Sequence, residues 1–190
     1  MAVTKKVLVP LAEGFEEIEA VTIVDVLRRA ELDVTLAGMG APGPLEGSRG
    51  VRVQPDVDWA DVDPAAFDAI VLPGGMGGAT RLMEDERVLD AVRASVAAGK
   101  LTAAICAAPM VLARAGVVGS HAITSHPSVQ PRLAPARMRP TERVVRSGNL
   151  ITSQGPGTAI EFALALVEEL CGPAESAEIA RALVAPGGPR

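Results

Sequence analysis

Short unbroken apolar runs, each closed by a turn and most followed by a stretch of helical periodicity, recur along the chain. Val7 to Ala12 is the first such run, Glu13 and Gly14 make the turn, and Phe15 to Ala30 has helical character. Val34 to Ala37 reads as the next buried strand. Gly38 to Gly50, rich in glycine and proline, reads as a loop or a small hairpin closing on Val51 to Val53. Ala69 to Leu72 is another buried strand, ending in the turn segment Pro73, Gly74, Gly75, Met76, Gly77 and Gly78. Helices follow over Ala79 to Met83 and over Glu86 to Ala98, with Gly99 as the stop. Leu101 to Ile105 is a strand and Ala108 to Ala115 a helix. Ala122 to Thr124, Val144 to Arg146 and Leu150 to Thr152 are short strands, the last two joined by a tight turn at Ser147 to Asn149. Gly157 to Leu170 reads as a long amphipathic helix and Ala174 to Leu183 as a shorter terminal one.

Strands alternating with helices predict an α/β sandwich around a largely parallel sheet. The chain shows no internal repeat and no clear linker, and 190 residues suit a single domain spanning 1–190. In such folds sites form in loops beyond the carboxyl ends of the strands. Four loops qualify: Glu13 to Glu17, Gly74 to Gly78, Cys106 to Pro109 and Ser125 to Pro127.

Cys106 stands where an apolar strand meets a helix-forming run, with nothing bulkier than alanine after it. A sharp strand-to-helix turn needs small neighbours, so that the side chain projects from the sheet edge while following N–H groups point at it. Pro109 fits a first helical turn, which tolerates a residue without an N–H. Such a place favours thiolate over thiol. The competing reading is a cysteine buried in a core strand.

Glu16, Glu17 and Glu19 open the first helix. Helical spacing puts at least one of them on an inward face, and periodicity does not choose between Glu16 and Glu19; acidic residues also simply complement a helix amino end. An inward carboxyl beside Cys106 would titrate with it as a unit and, when protonated, could stabilise the thiolate. Gly74 and Gly75 could supply a backbone donor, and Gly75 with Ala107 would make a hole for an oxyanion. The glycine segment lacks the GxGxxG spacing and the lysine of a phosphate loop, which sets nucleotide binding low. His126 is a weak candidate on its own, His121 reads as a solvated turn residue, and two unpatterned histidines imply no metal site. Cys171, before Gly172 and Pro173, reads as structural. Gly155 to Gly157 reads mainly as punctuation, though its backbone could line a pocket.

Composition narrows the classes further. Hydrophobic residues make up 48% of the chain but aromatics only 2%, with no tyrosine, so base-stacking platforms are disfavoured. A net charge of −5 without a basic cluster argues against nucleic-acid and anionic-membrane surfaces. Two cysteines in dissimilar contexts do not make a disulfide framework. The amino-terminal apolar run is too short for a signal peptide and no run approaches spanning length, so the expected location is the cytoplasm.

Five segments in register carry a resemblance: Glu16 to Glu19, Val71 to Gly75, Ala104 to Pro109, Thr124 to Pro127 and Thr152 to Thr158. From about Lys6 to Leu183 the chain resembles the ThiJ/PfpI superfamily, within it the branch of the Parkinsonism-associated protein deglycase and its bacterial relatives. The resemblance implies a flavodoxin-like three-layer sandwich, a mostly parallel sheet with a cysteine nucleophile elbow, no cofactor and a homodimer. It assigns the nucleophile to Cys106 and the protonated partner carboxyl to Glu19. It puts oxyanion and substrate contacts at Gly75, Ala107 and the neighbouring Gly74, and a pocket histidine at His126. Arg49 matches an arginine near the partner subunit's site. Gln154 stands where some relatives have arginine, which weakens attraction for anionic ligands, and Gln54 where an accessory cysteine would be. The implied activity is that of a glyoxalase or deglycase on methylglyoxal-type 2-oxoaldehydes and their protein adducts. The alternative is an oxidative-stress sensor or redox-regulated chaperone working through Cys106 sulfinate. A cysteine peptidase fits less well, because Ala107 stands where the adjacent histidine of that arrangement would be, and a small-molecule hydratase has weaker support.

Overall fold

The computed structural model describes residues 4–40 and 42–185. Strand β1 (Lys6–Leu11) leads into helix α1 (Glu17–Arg29) and strand β2 (Asp33–Gly38). A small antiparallel hairpin, β3 (Leu45–Glu46) and β4 (Arg52–Val53), precedes β5 (Val57–Asp58) and β6 (Ala69–Leu72). Helices α2 (Met76–Glu84) and α3 (Glu86–Ala97), strand β7 (Leu101–Ile105) and helix α4 (Pro109–Arg114) follow. The chain continues through β8 (Ala122–Ile123), β9 (Arg137–Met138), β10 (Val144–Ser147) and β11 (Leu150–Ser153), and ends in α5 (Ala159–Cys171) and α6 (Pro173–Ala182).

Seven strands form the main sheet in the order β10-β11-β7-β6-β1-β2-β5, with only the β10–β11 pair antiparallel. Its centre, β2-β1-β6-β7-β11, is the doubly wound flavodoxin-like order. Alternation along β1 explains the layers. Val7, Val9 and Leu11 face one side, under Ile23 and Leu27 of α1 and Phe162 and Leu166 of α5. Leu8 faces the other side with Ile70 and Leu72, under Leu82 of α2, Val88 of α3 and Val111 of α4. The chain crosses from one half of the sheet to the other between β1 and β6. There the pairing stops at Leu8 with Ile70, short of Pro10, which has no N–H to extend a ladder, whereas β1 and β2 stay paired to Leu11. The central strands part at that point, which is where such folds open a crevice.

Three local expectations are corrected. The glycine run after β6 is not a turn throughout: α2 starts at Met76, and Gly77 and Gly78 belong to it. A Cβ on Gly78 would lie 3.0 Å from Phe15 Cα, so the run lets a helix start pack directly on the loop before α1. The strand at Ala122 is outside the main sheet; β8 pairs with β9, and Thr124 N–H donates to Thr152 Oγ1 at 2.9 Å to tie this flap to β11. Edge strand β5 had no apolar run to announce it. Asp56 creates it, accepting the Leu36 N–H at 2.8 Å and Arg28 Nη2 at 2.6 Å and so fastening the chain beside β2. Among the described residues no helix is long and apolar enough to cross a membrane.

Phe162 is fully buried between α5 and the sheet. Phe162→Ala is expected to lower stability by about 3–5 kcal/mol, read as a lower urea midpoint with an unchanged slope.

Candidate active site

Strand β7 ends in Ile105, and the next residue, Cys106, turns the chain with φ 63°, a left-handed conformation rare for a residue with a side chain. Strain of this kind costs on the order of 1–3 kcal/mol and persists only where the surroundings enforce it. Here they do. Cys106 N–H donates to Ser153 carbonyl at 3.0 Å, and Cys106 carbonyl accepts from His126 N–H at 2.9 Å, so the elbow is pinned from both sides. The Cys106 side chain is only partly buried and touches both hydrophobic layers, so it is not a sealed core cysteine. The backbone N–H groups of Gly75 and Ala107 are directed at its sulfur. Helix α4 has only six residues, so the local Ala107 N–H, and not a long helix dipole, supplies positive character on that side.

The three glutamates of α1 have three separate jobs. Glu16 caps the helix, its Oε2 accepting the Glu19 N–H at 2.8 Å. Glu17 is buried against the hairpin, accepting the Ser48 hydroxyl at 3.1 Å and the Arg49 backbone N–H. Gly47 leaves room for it, since a Cβ there would sit 2.5 Å from the carboxyl carbon. Glu19 alone points into the crevice, with 0% exposure. Its Oε2 accepts the Gly74 N–H at 2.8 Å, while Oε1 is buried without a hydrogen-bond partner.

Gly74 therefore does not offer its N–H to a ligand. It positions Glu19, and its lack of a side chain is essential: a Cβ would meet Cys106 Cβ at 2.6 Å, Glu19 Oε2 at 2.7 Å and Ile105 carbonyl at 2.8 Å. Gly75, with φ 87°, directs its own N–H toward the sulfur. One glycine pair thus serves both members of the couple. His126 lies beside them, its Cδ2 3.3 Å from where a Cβ on Gly155 would be, with Glu19 Oε1 4.0 Å from that same point. Gly155 thus keeps open the space between ring and carboxyl. Sequence reading took it for punctuation; its adjacency to the Ser153 end of β11 was the available signal. Arg49 is not brought into this cluster: it is exposed, and its guanidinium donates only to Ser48 carbonyl, at 3.1 Å. Gln154 turns its amide to Pro140 carbonyl at 2.8 Å. His121 is half-buried over the Ser147–Gly148 turn, Nδ1 2.7 Å from Ser147 carbonyl, and is not a freely solvated residue. Cys171 is exposed at the end of α5.

Burial pushes the Glu19 carboxyl up to about 7, against the pull of the Gly74 N–H and the Cys106 side chain. Burial, and next the charge of an ionised Glu19, push the Cys106 thiol up to about 12, against the Gly75 and Ala107 N–H groups. This departs from the expectation that a helix amino end would favour thiolate over thiol. The pair gives up its first proton near pH 7 and above that holds one between them, and the sulfur is anionic only to the extent that Glu19 keeps that proton.

The DJ-1/PfpI family profile matches residues 5–169. "Protein dj-1beta" of Drosophila melanogaster is 46% identical over 182 residues, covering 95% of this chain and 97% of the relative. The crystal structure of Drosophila melanogaster DJ-1beta matches with a TM-score of 0.93 at 45% identity, covering 96% of this chain and 99% of that one. "Glutathione-independent glyoxalase DJR-1.2" of Caenorhabditis elegans is 38% identical over 185 residues, covering 96% and 98% of the two chains. The chain belongs to the DJ-1/PfpI family.

A carboxyl whose folded value is raised makes folding most favourable below its unfolded value. That contribution fades as pH climbs from 4.5 to about 7, by about 3 kcal/mol in total. Glu19→Gln, which cannot ionise, is expected to gain on the wild type in melting temperature across that interval, measured by thermal unfolding at pH 4.5 and pH 7.5.

Proposed function

We propose that this protein is a glyoxalase that uses its own side chains to convert 2-oxoaldehydes of the methylglyoxal type into 2-hydroxy acids. The observation that carries the reading is the Cys106–Glu19 pair with one sulfur-directed N–H on each side. Two N–H groups are directed at the sulfur, while Gly74 serves one Glu19 oxygen and the other has no partner, which supports a minor state in which Glu19 carries the proton and the sulfur the charge. The reactive form is then thiolate with neutral acid.

Sulfur attacks the aldehyde carbon, and the C=O pair moves onto oxygen, held by the Gly75 and Ala107 N–H groups. Glu19 gives its proton to that oxygen, leaving a hemithioacetal and a carboxylate. The carboxylate removes the C1 hydrogen as a proton, the C1–H electrons form a C1=C2 bond, and the C2=O π pair moves onto the ketone oxygen, which takes the proton from Glu19. Glu19 then takes the C1 hydroxyl proton as the C1=O bond forms and the C1=C2 pair moves to C2, and it delivers that proton to C2, giving a 2-hydroxyacyl thioester. Water breaks the C–S bond, releasing lactate when methylglyoxal is the substrate and restoring the thiolate and the acid. His126 faces the same space and orients the substrate. Amine and thiol adducts of these aldehydes are further candidate substrates.

A relative named as a glutathione-independent glyoxalase supports this reading. A second reading, oxidation of Cys106 by peroxide to a sulfinate, is favoured by the partial exposure of the sulfur and the same two N–H donors. Self-association through α1 is part of the proposal: Ile18 is 58% and Val21 49% exposed on that helix, and Val21, Val24 and Val53 line a groove of about 300 Å³ beside it.

With methylglyoxal, and without added glutathione or metal, the wild type is expected to form lactate. Cys106→Ala is expected to form none, and Glu19→Gln to lose about 100-fold or more in kcat. Full activity in Glu19→Gln would remove the acid–base assignment. Lactate production surviving in Cys106→Ala would remove the nucleophile.

A further inference from the structure

His126 is held on one side by a residue that is not part of the five resembling segments. Ser128 N–H lies 3.2 Å from His126 Nδ1, and Ser128 Oγ lies 2.8 Å from the same nitrogen. A hydroxyl can turn to donate or to accept, but a backbone N–H can only donate. Nδ1 must then present its lone pair, which places the ring proton on Nε2. The ring is also fixed at its base: His126 N–H donates to Cys106 carbonyl, and Val129 N–H donates to His126 carbonyl. The free edge carries Cδ2, 3.3 Å from the position a Gly155 Cβ would take, and Nε2 is bonded to Cδ2. Glu19 Oε1 borders the same position.

We infer that Ser128 is a positioning residue that locks His126 as the Nε2–H tautomer, so that the ring meets a ligand in the Gly155 space as a hydrogen-bond donor to oxygen. The role in turnover rests on the glyoxalase reading, whereas the tautomer is a property of the resting protein. In that reaction Gly75 and Ala107 hold the oxygen of the carbon under attack, and the Nε2–H reaches the second carbonyl oxygen of a dicarbonyl. The proton transfers remain with Glu19, which matches a ring whose acceptor nitrogen is turned away and already engaged. The chemical class so recognised is a pair of adjacent carbonyls, as opposed to a simple aldehyde.

The test is nitrogen-15 NMR of the full-length protein labelled at histidine, at neutral pH and without substrate, with His126→Gln used to assign the two rings. The expected result is a protonated Nε2 and an unprotonated Nδ1 at His126, kept in Ser128→Ala, which retains the backbone donor. Ser128→Pro lacks both donors and is expected to show a mixture of tautomers, with preference for methylglyoxal over acetaldehyde as thiol-trapping electrophile reduced by up to about tenfold. A wild-type ring protonated on Nδ1, or a tautomer unchanged in a folded Ser128→Pro, overturns the inference. The wild-type measurement decides the matter even where the proline variant does not fold. The expected tautomer in a protein that forms no lactate would uphold Ser128 and discard the glyoxalase reading.

Discussion

A carboxyl and a sulfur face each other at the point where the central strands separate, and their protonation is coupled. Each group is buried enough that its charge is costly, and neither can ionise without raising the cost of ionising the other. The geometry around them follows from that constraint. Gly74 gives Glu19 one N–H, Gly75 and Ala107 each direct one at the sulfur, and no side chain fits at position 74 between them. Cys106 accepts a strained backbone so that its sulfur leaves the strand direction and meets the carboxyl.

Strain at Cys106 and a misfit carboxyl at Glu19 both work against folding, and the surrounding architecture offsets them. Hydrophobic layers on both faces of the sheet bury large side chains such as Phe15, Phe162 and Leu72 almost completely. The elbow is held by backbone hydrogen bonds to β11 and to the His126 loop, so it needs no polar side chain of its own. The loop at Gly155 is braced separately: Thr158 Oγ1 lies 2.6 Å from Ser153 Oγ, accepts the Gly155 N–H at 3.1 Å and donates to Gly155 carbonyl at 2.8 Å. A site placed on such supports keeps its groups in one arrangement while leaving a space beside the sulfur.

The parallel strands were readable because burial on both faces leaves continuous apolar runs, as in Ala69–Leu72 and Leu101–Ile105. The elbow was readable because a sharp turn restricts Ala107 and Ala108 to small residues. Periodicity alone could not separate Glu16, Glu17 and Glu19, since what distinguishes them is long-range: a helix end, a hairpin from residues 45–53 and a glycine 55 positions away. The sequence resemblance selected Glu19, and among the described residues Glu19 is the carboxyl beside the sulfur. Gly74 was read as a ligand donor because nothing local reveals that its N–H is already engaged. Strands β5 and β9 are two residues long each, too short for any period to register, and the short run at β8 carried no sign that it lies outside the main sheet. Gly155 gave only its position beside the end of β11 as a signal, because its importance lies in the space it leaves empty, and Ser128 gave none, because what matters there is which nitrogen its N–H faces.

Charge around the sulfur bears on which electrophiles suit it. Among the described residues no lysine or arginine contributes to the environment of Cys106. Arg143, whose carbonyl accepts the Ser153 hydroxyl at the β11 end, is engaged by Glu161 through Nε at 2.9 Å and Nη2 at 2.9 Å, and donates to Gly157 carbonyl at 2.7 Å. Gln154 contributes a neutral amide and spends it on Pro140. Recognition at the sulfur is therefore left to N–H groups without formal charge, which favour an oxygen that becomes negative during reaction over one that is negative beforehand. Under the proposed reaction a neutral dicarbonyl meets that condition: it brings no charge into a site that already shelters one, and its oxygen would acquire charge beside the Gly75 and Ala107 N–H groups.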